Sequence, residues 1–466
     1  MQSLDTKNNT MLLSHRIAEQ TLSLRYEDVP EGVWDYLKKC ILDAIGIAFA
    51  SRTYSFADKA LASIELLGSK GAATIIGQSR TVSVRDAAMI NGLLIHGLDF
   101  DDTHLASVVH CSASAFSAAL ALAEQKEESG KNLLFATLMA IEIDAVLGRQ
   151  AGGVFQQLGF HPTGVVGIFG ATVAAAYLLN GDENALVRAQ GIALSMCSGS
   201  MAFLDDGSWT KRLHPGWAAS AALHAASLGV SGFEGPNDAY GGRFGFYSLY
   251  APGTAIDLRA ISEAVFSDWQ LLKVAIKPYP ICHFNHSLID SALAIKKKSS
   301  FDIEDIDRVT ILLHEGQFGV VVDPIEEKRK PKNEYDAKFS APYAVATALL
   351  KGHFGLPDLK DEARLDPKIA SLLERIDCEH EPRSEYPQKF SGGVRVQLKD
   401  GSSVEHFELV NQGAEGQLLS DIQVREKFMN NCALSIPTEH AEAIWTCVTR
   451  LEDLSSTRVL TMLLQG

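Results

Sequence analysis

From the N-terminus to about residue 260, apolar residues recur every three or four positions in long Ala-, Leu- and Ile-rich runs interrupted by Gly, Pro and Asp. That period is helical, because 3.6 residues per turn places such positions on one face. One predicted helix opens at Val29-Pro30-Glu31, where a missing amide hydrogen costs little, and its stripe runs through Val33, Leu37, Ile41 and Ile45. Others are predicted at about 86–97, 108–126, 132–149, 162–179, 184–198 and 215–229. Several are apolar all round and rich in small residues, as at Ala171, Ala174, Ala175 and Ala176, so helices packed closely on helices are expected. The run from Gly164 to Leu179 is shorter than the ~20 residues that span a bilayer and reads as a buried helix.

After roughly residue 265 the pattern changes to short β-like runs alternating with helices. Arg308–Leu313 reads as a strand, Tyr343–Leu350 and Pro367–Ile376 as helices, and Val394–Leu398 with Val404–Phe407 as a hairpin closed at Asp400-Gly401. The stretch Thr438–Leu451 returns to a helical period. The expected fold is mainly α: a large all-helical domain (1–265 plus about 410–466) with an inserted smaller α+β domain (266–409). A chain of 466 residues agrees with two domains.

The formal charge of −15, with 57 acidic against 42 basic residues and only short basic runs, argues against a nucleic-acid partner. A small anionic ligand stays possible, since a pocket can be locally basic in an acidic protein. Seven scattered cysteines without a CxxC pair, and an opening stretch Met1–Thr6 without a secretory pattern, lead to the expectation of a reduced, cytoplasmic protein with no membrane partner.

Candidate chemistry concentrates in four places. Asp99-Phe100-Asp101-Asp102-Thr103-His104 puts three carboxylates, a hydroxyl and an imidazole directly after an apolar run; it reads equally as a catalytic wall or as a helix terminus with its caps. Lys211 and Arg212 precede a helix predicted to begin near Pro215, a carboxylate-binding arrangement, or else an ordinary loop. Lys277-Pro278-Tyr279-Pro280 restrains the chain between a lysine and the imidazoles His283 and His286. His161 stands at a helix start, where the helix dipole disfavours an imidazolium. No metal site is expected: the aspartates lack a second acidic ligand set and Cys282/His283 lacks a third ligand. Nucleotide-binding, zinc-protease and serine-hydrolase motifs are absent from the sequence.

Taken together, Ile95–His104, Gly159–Gly164, Gly207–Ala218, Lys277–Pro280 and Lys338–Tyr343 resemble, in order, the motif set of the MmgE/PrpD family. The resemblance implies a helical major domain carrying an α+β domain, a homodimer, and chemistry on a small polycarboxylate without an organic cofactor. Its members include 2-methylcitrate dehydratase, cis-aconitate decarboxylase and iminodisuccinate epimerase. Carried over by motif, the catalytic set is Asp99, His110, His161, Lys211, Lys277 and Tyr343, with Thr103, His104, Arg212 and His283 on the substrate. His110 stands seven positions after Thr103 and is followed by Cys111, a departure from the decarboxylase pattern, and Ile281-Cys282-His283 departs from the dehydratase one. Both shift the expectation towards epimerisation, with decarboxylase or dehydratase chemistry as the alternative. In that scheme His110 or Lys277 would act on one face and Lys211, His161 or Tyr343 on the other. A non-catalytic polycarboxylate-binding protein is the alternative of another class.

Overall fold

In the computed structural model, which describes residues 12–466, Pro30 caps a helix, α1 (Glu31–Ser51), on which Val33, Leu37, Ile41 and Ile45 are all buried. The opening stretch read for a secretory pattern lies outside the described residues. The chain divides into two compact units: a helical one, made of residues up to Gly97, Asp102–Lys273 and Phe428–Gly466, and an α+β one, made of Leu98–Asp101 and Val274–Lys427. Both crossings after residue 265 fall later than the change of sequence pattern, at 273/274 and 427/428. Loops and short helical turns blur that change, because their polarity belongs to neither period.

The helical unit is built around α2 (Val84–His96), α3 (Cys111–Lys126), α4 (Gly130–Arg149), α5 (Pro162–Leu178), α6 (Glu183–Leu194) and α7 (Thr210–Val230). Glycines set how closely these pack. A Cβ on Gly170 would stand 2.1 Å from the Ala140 carbonyl oxygen, and one on Gly216 would stand 2.1 Å from that of Met89. Only a residue without a side chain admits such approaches. Helix α5 is buried almost throughout, matching its all-round apolarity, and among the described residues no helix is long and apolar enough to cross a membrane. Late in the chain, Thr438–Thr449 rejoins this unit, burying Ala441, Ile444 and Val448 while Trp445 stays partly exposed.

Helix α7 starts at Thr210, not near Pro215 as expected. Proline at the sixth helical position leaves the Lys211 carbonyl without its amide partner. The close packing of Gly216 on α2 holds the helix together across that gap, since Gly92 in turn has the Gly216 Cα 2.7 Å from where its Cβ would be. Lys211, Arg212 and His214 therefore occupy the first turns of a helix, instead of the loop before one.

In the α+β unit, strands β1 (Ile306–Leu313), β2 (Ile376–His380), β3 (Gly392–Leu398) and β4 (Ser403–Glu408) form one sheet in the order β2-β1-β3-β4. Strand β2 runs parallel to β1, and the other pairs are antiparallel. The hairpin forms, but its turn runs from Leu398 to Gly401 with Lys399-Asp400 at the centre, and Gly401, at φ 88°, is the left-handed residue that follows them. The expected helix over Pro367–Ile376 ends at Leu373, and Ile376 opens β2. The inner face of the sheet joins α8 (His286–Lys298) and α9 (Ala341–Lys351) in one apolar core that includes Val309, Ile311, Val394 and Val396.

Candidate active site

Two polar clusters emerge, one in each unit. In the helical unit, four imidazoles and a lysine converge. His96 ends α2, His110 caps α3, His161 caps α5, and Lys211 and His214 lie in the first turns of α7. Ring centroids are 4.6 Å apart for His96 and His110, 5.4 Å for His96 and His161, and 6.4 Å for His110 and His161. Nδ1 of His161 lies 3.0 Å from Nδ1 of His214. His96, His110, His161 and Lys211 are all buried.

The loop before α3 supplies the remaining groups. His104 N–H donates to the Val109 carbonyl, folding residues 103–109 back so that Thr103 Oγ1 stands 3.3 Å from His110 Nδ1. The His110 backbone N–H donates to Thr163 Oγ1 at 3.1 Å. Asp102 accepts from the backbone N–H and the hydroxyl of Ser112, which makes it an anchor of the first turn of α3.

Burial holds His161 well below the ordinary imidazole range, helped by His96, Lys211, His214 and His110 around it. His214 is lowered to about 4, again by burial first and Lys211 second. Burial thus keeps His161 and His214 neutral beside Lys211, an arrangement of lone pairs and a cation that can accept protons and bind carboxylate. The ligating atoms of His96, His110 and His161 lie within 4.8 Å of one another and would offer a transition metal three nitrogens. The ammonium of Lys211 opposes a dication there and welcomes an anion.

His104 and Arg212, both expected on the substrate, are engaged elsewhere. His104 places Nδ1 2.9 Å from Ser107 Oγ, and Arg212 donates from Nε to the Gly97 carbonyl at 2.7 Å with its guanidinium over the Phe56 ring. Burial, then the charges of Arg149 and Lys273, lower His104 to about 4. Between pH 6.5 and 4 the unfolded chain therefore binds a proton at this position that the native chain refuses, so the stability is intact above pH 6.5 and lost as pH falls. The span is worth roughly 3 kcal/mol. His104→Gln is expected to lose about 2 kcal/mol less than the parent between pH 7 and 4.5, read from urea midpoints. An equal loss in both proteins would refute the assignment.

In the α+β unit, three buried lysines hold three consecutive carbonyls of the short segment Leu98–Asp101. Lys338 Nζ donates to Leu98 O at 2.5 Å, Lys277 Nζ to Asp99 O at 2.9 Å, and Lys427 Nζ to Phe100 O at 2.9 Å. Lys277 also pairs with Asp99 Oδ1 at 3.2 Å, and Lys427 stands 3.8 Å above the centre of the Phe100 ring. Asp99 is left-handed at φ 54°, a conformation that Asp adopts more readily than most residues. The segment Asp99–Asp102 thus combines a fixed bend with charge, where composition alone allowed a cap or a catalytic wall.

His283 stacks on His286 with centroids 4.5 Å apart and receives the Asn411 amide at 3.1 Å. Tyr343 is not brought to either cluster. Its ring belongs to the apolar core of the α+β unit and its hydroxyl donates to the Asp358 carbonyl, which commits the proton expected for catalysis. Conversely, His96, His214 and Lys338 stand inside the motifs with no role assigned by them, and Lys427 stands outside them. His214 follows Lys211 by three positions, a shared helix face that is visible only when α7 starts at Thr210.

Residues 15–259 match the MmgE/PrpD N-terminal domain and residues 279–453 the MmgE/PrpD C-terminal domain. Cis-aconitate decarboxylase of Mus musculus is 28% identical over 463 residues, covering 95% of this chain and 91% of that protein. The Homo sapiens decarboxylase is 29% identical over 451 residues, covering 92% and 89%. 2-Methylcitrate dehydratase of Escherichia coli strain K12 is 22% identical over 454 residues, covering 90% of each. With both domain models matched in order over most of its length, the chain is an enzyme that belongs to the MmgE/PrpD family.

Proposed function

We propose that the protein moves protons, without an organic cofactor, at the carbon next to a carboxylate of a small polycarboxylate, and that the reaction is an epimerisation of the iminodisuccinate type. The observation that carries this reading is the buried cluster of His96, His110 and His161 beside Lys211, in which burial holds His161 well below the ordinary imidazole range. Removing a proton next to a carboxylate leaves an enediolate-like charge, and a nearby ammonium is the group that stabilises it most. Epimerisation further needs an acid and a base that approach from different sides. His110 and His161 cap separate helices with centroids 6.4 Å apart, which meets that need.

Decarboxylation is the second reading, favoured by the similarity to the two mammalian cis-aconitate decarboxylases along most of the chain. It asks for one acid to protonate the carbon that loses CO2, a task suited to the His110 ring beside Thr103.

Iminodisuccinate, cis-aconitate and 2-methylcitrate, each followed by proton NMR in D2O, separate the outcomes. Deuterium entering the α-position with every carboxylate retained is the expected result. Release of CO2 would replace epimerisation by decarboxylation, and a new alkene signal without CO2 would replace it by dehydration. Saturable binding with neither exchange nor turnover would make the protein a binder.

A further inference from the structure

We propose that His161 and His214 act as one proton-passing pair, in which His214 is the outer imidazole through which a proton taken at His161 Nε2 reaches solvent. The inference rests on the proton-transfer reading above and assigns His214 as a positioning and relay residue. The two Nδ1 atoms are 3.0 Å apart, so a single proton is shared between them and Nε2 is left as the working nitrogen of His161.

The surroundings fix this geometry. Gly199, in a left-handed conformation at φ 147°, accepts the His161 backbone N–H at 2.9 Å, and a Cβ on it would stand 3.5 Å from Cγ and Nδ1 of His214. Gly164 has the His214 Cβ 3.1 Å from where its own would be. The Phe203 ring flanks both imidazoles, with centroids 6.0 Å from His161 and 6.1 Å from His214. His161 is buried, whereas His214 is half-buried, so the pair leads outward.

Protons balance along it. With the shared proton on His161, the Nε2 lone pair accepts a proton from substrate carbon; the shared proton crosses to His214 Nδ1, and His214 releases its Nε2 proton to water. Run backwards, the same steps deliver a solvent proton to carbon. The pair returns to its starting tautomers when the steps run backwards through it, as in conversion of the opposite epimer, where His161 is the acid and His110 the base.

The test uses His214→Asn, which keeps a hydrogen-bonding side chain but cannot pass a proton, and His214→Ala. Without substrate, 15N NMR of the histidine rings reads exchange of the His161 ring proton with water, and this exchange is expected to slow severalfold in both variants. During turnover of the active member of the substrate panel in D2O, deuterium incorporated per turnover into recovered substrate and product is expected to fall in both, and added imidazole to restore it in His214→Ala. Unchanged ring-proton exchange, or a loss of incorporation that imidazole does not repair, would overturn the pair. Absence of turnover by the parent on all three compounds would overturn the functional reading instead, and the ring-proton measurement would still decide the pair.

Discussion

Replacing Lys211 by methionine is expected to lower kcat/KM by roughly 10²–10³, equivalent to about 3–4 kcal/mol of transition-state stabilisation. The residue sits in the first turn of α7, buried, and its charge is one of the influences that keep His161 and His214 neutral. Two effects should therefore appear together. On the proton-transfer reading, the developing enediolate-like charge loses the ammonium of Lys211, and His161 becomes easier to protonate. Since the protonated ring cannot act as a base, the acidic limb of the kcat/KM profile should move to higher pH in Lys211→Met. Lys211→Arg should keep the limb near its original place, because the cation remains. The measurement is kcat/KM against pH for the parent and both variants. A loss smaller than about tenfold with an unmoved limb would take Lys211 out of the mechanism.

The pairing of a small loss of binding with a large loss of rate would place the action of Lys211 in the transition state, where uniform substrate binding contributes nothing to kcat. A rise in KM alone would make it a docking residue for carboxylate.

The helical unit was legible because its elements are long and its buried faces repeat. Val33, Leu37, Ile41 and Ile45 mark α1 by spacing alone, and the all-apolar α5 is as buried as its composition demands. Legibility failed where backbone and packing decide against local propensity. Pro215 reads as a helix start, yet the helix begins five residues earlier, held by the fit of Gly216 on α2, which no local pattern records. Ile376 could close a helix or open a strand; pairing with Val309 in the parallel register selects the strand. His161 stands out in sequence beside Pro162 and Lys211 beside Arg212, whereas His110, between Val109 and Cys111, is pointed to only by the family resemblance. The motifs did not distinguish His104 or Arg212, whose partners Ser107 and Gly97 are set by the turn of the chain, from residues that converge on the imidazole cluster. Lys338 opens a motif and Lys427 lies in none, yet neither shows its task in sequence, since a lysine that stabilises a carbonyl looks there like any surface lysine.

Lys277→Met is expected to destabilise the protein by about 3–5 kcal/mol, the cost of leaving a buried carboxylate without its cation. Lys277 and Asp99 are both buried, 2% and 6% exposed, and the ammonium serves the carbonyl and the carboxylate of the same residue. Two of its three N–H donors are thereby accounted for, so the residue holds the bend at Asp99 before it does anything for substrate. Adding Asp99→Asn to Lys277→Met should recover part of the loss, because the group that faced the lost cation is then neutral. Lys338→Met should cost less, about 2 kcal/mol, since its main loss is a charged donor to the Leu98 carbonyl and its acidic partner, Glu334, is a partly exposed side chain that can turn to water. Urea unfolding of the single variants and the double variant closes the cycle. Additive losses for Lys277→Met and Asp99→Asn would mean that the two side chains do not interact, and the hold of Lys277 on the bend would then rest on the Asp99 carbonyl alone.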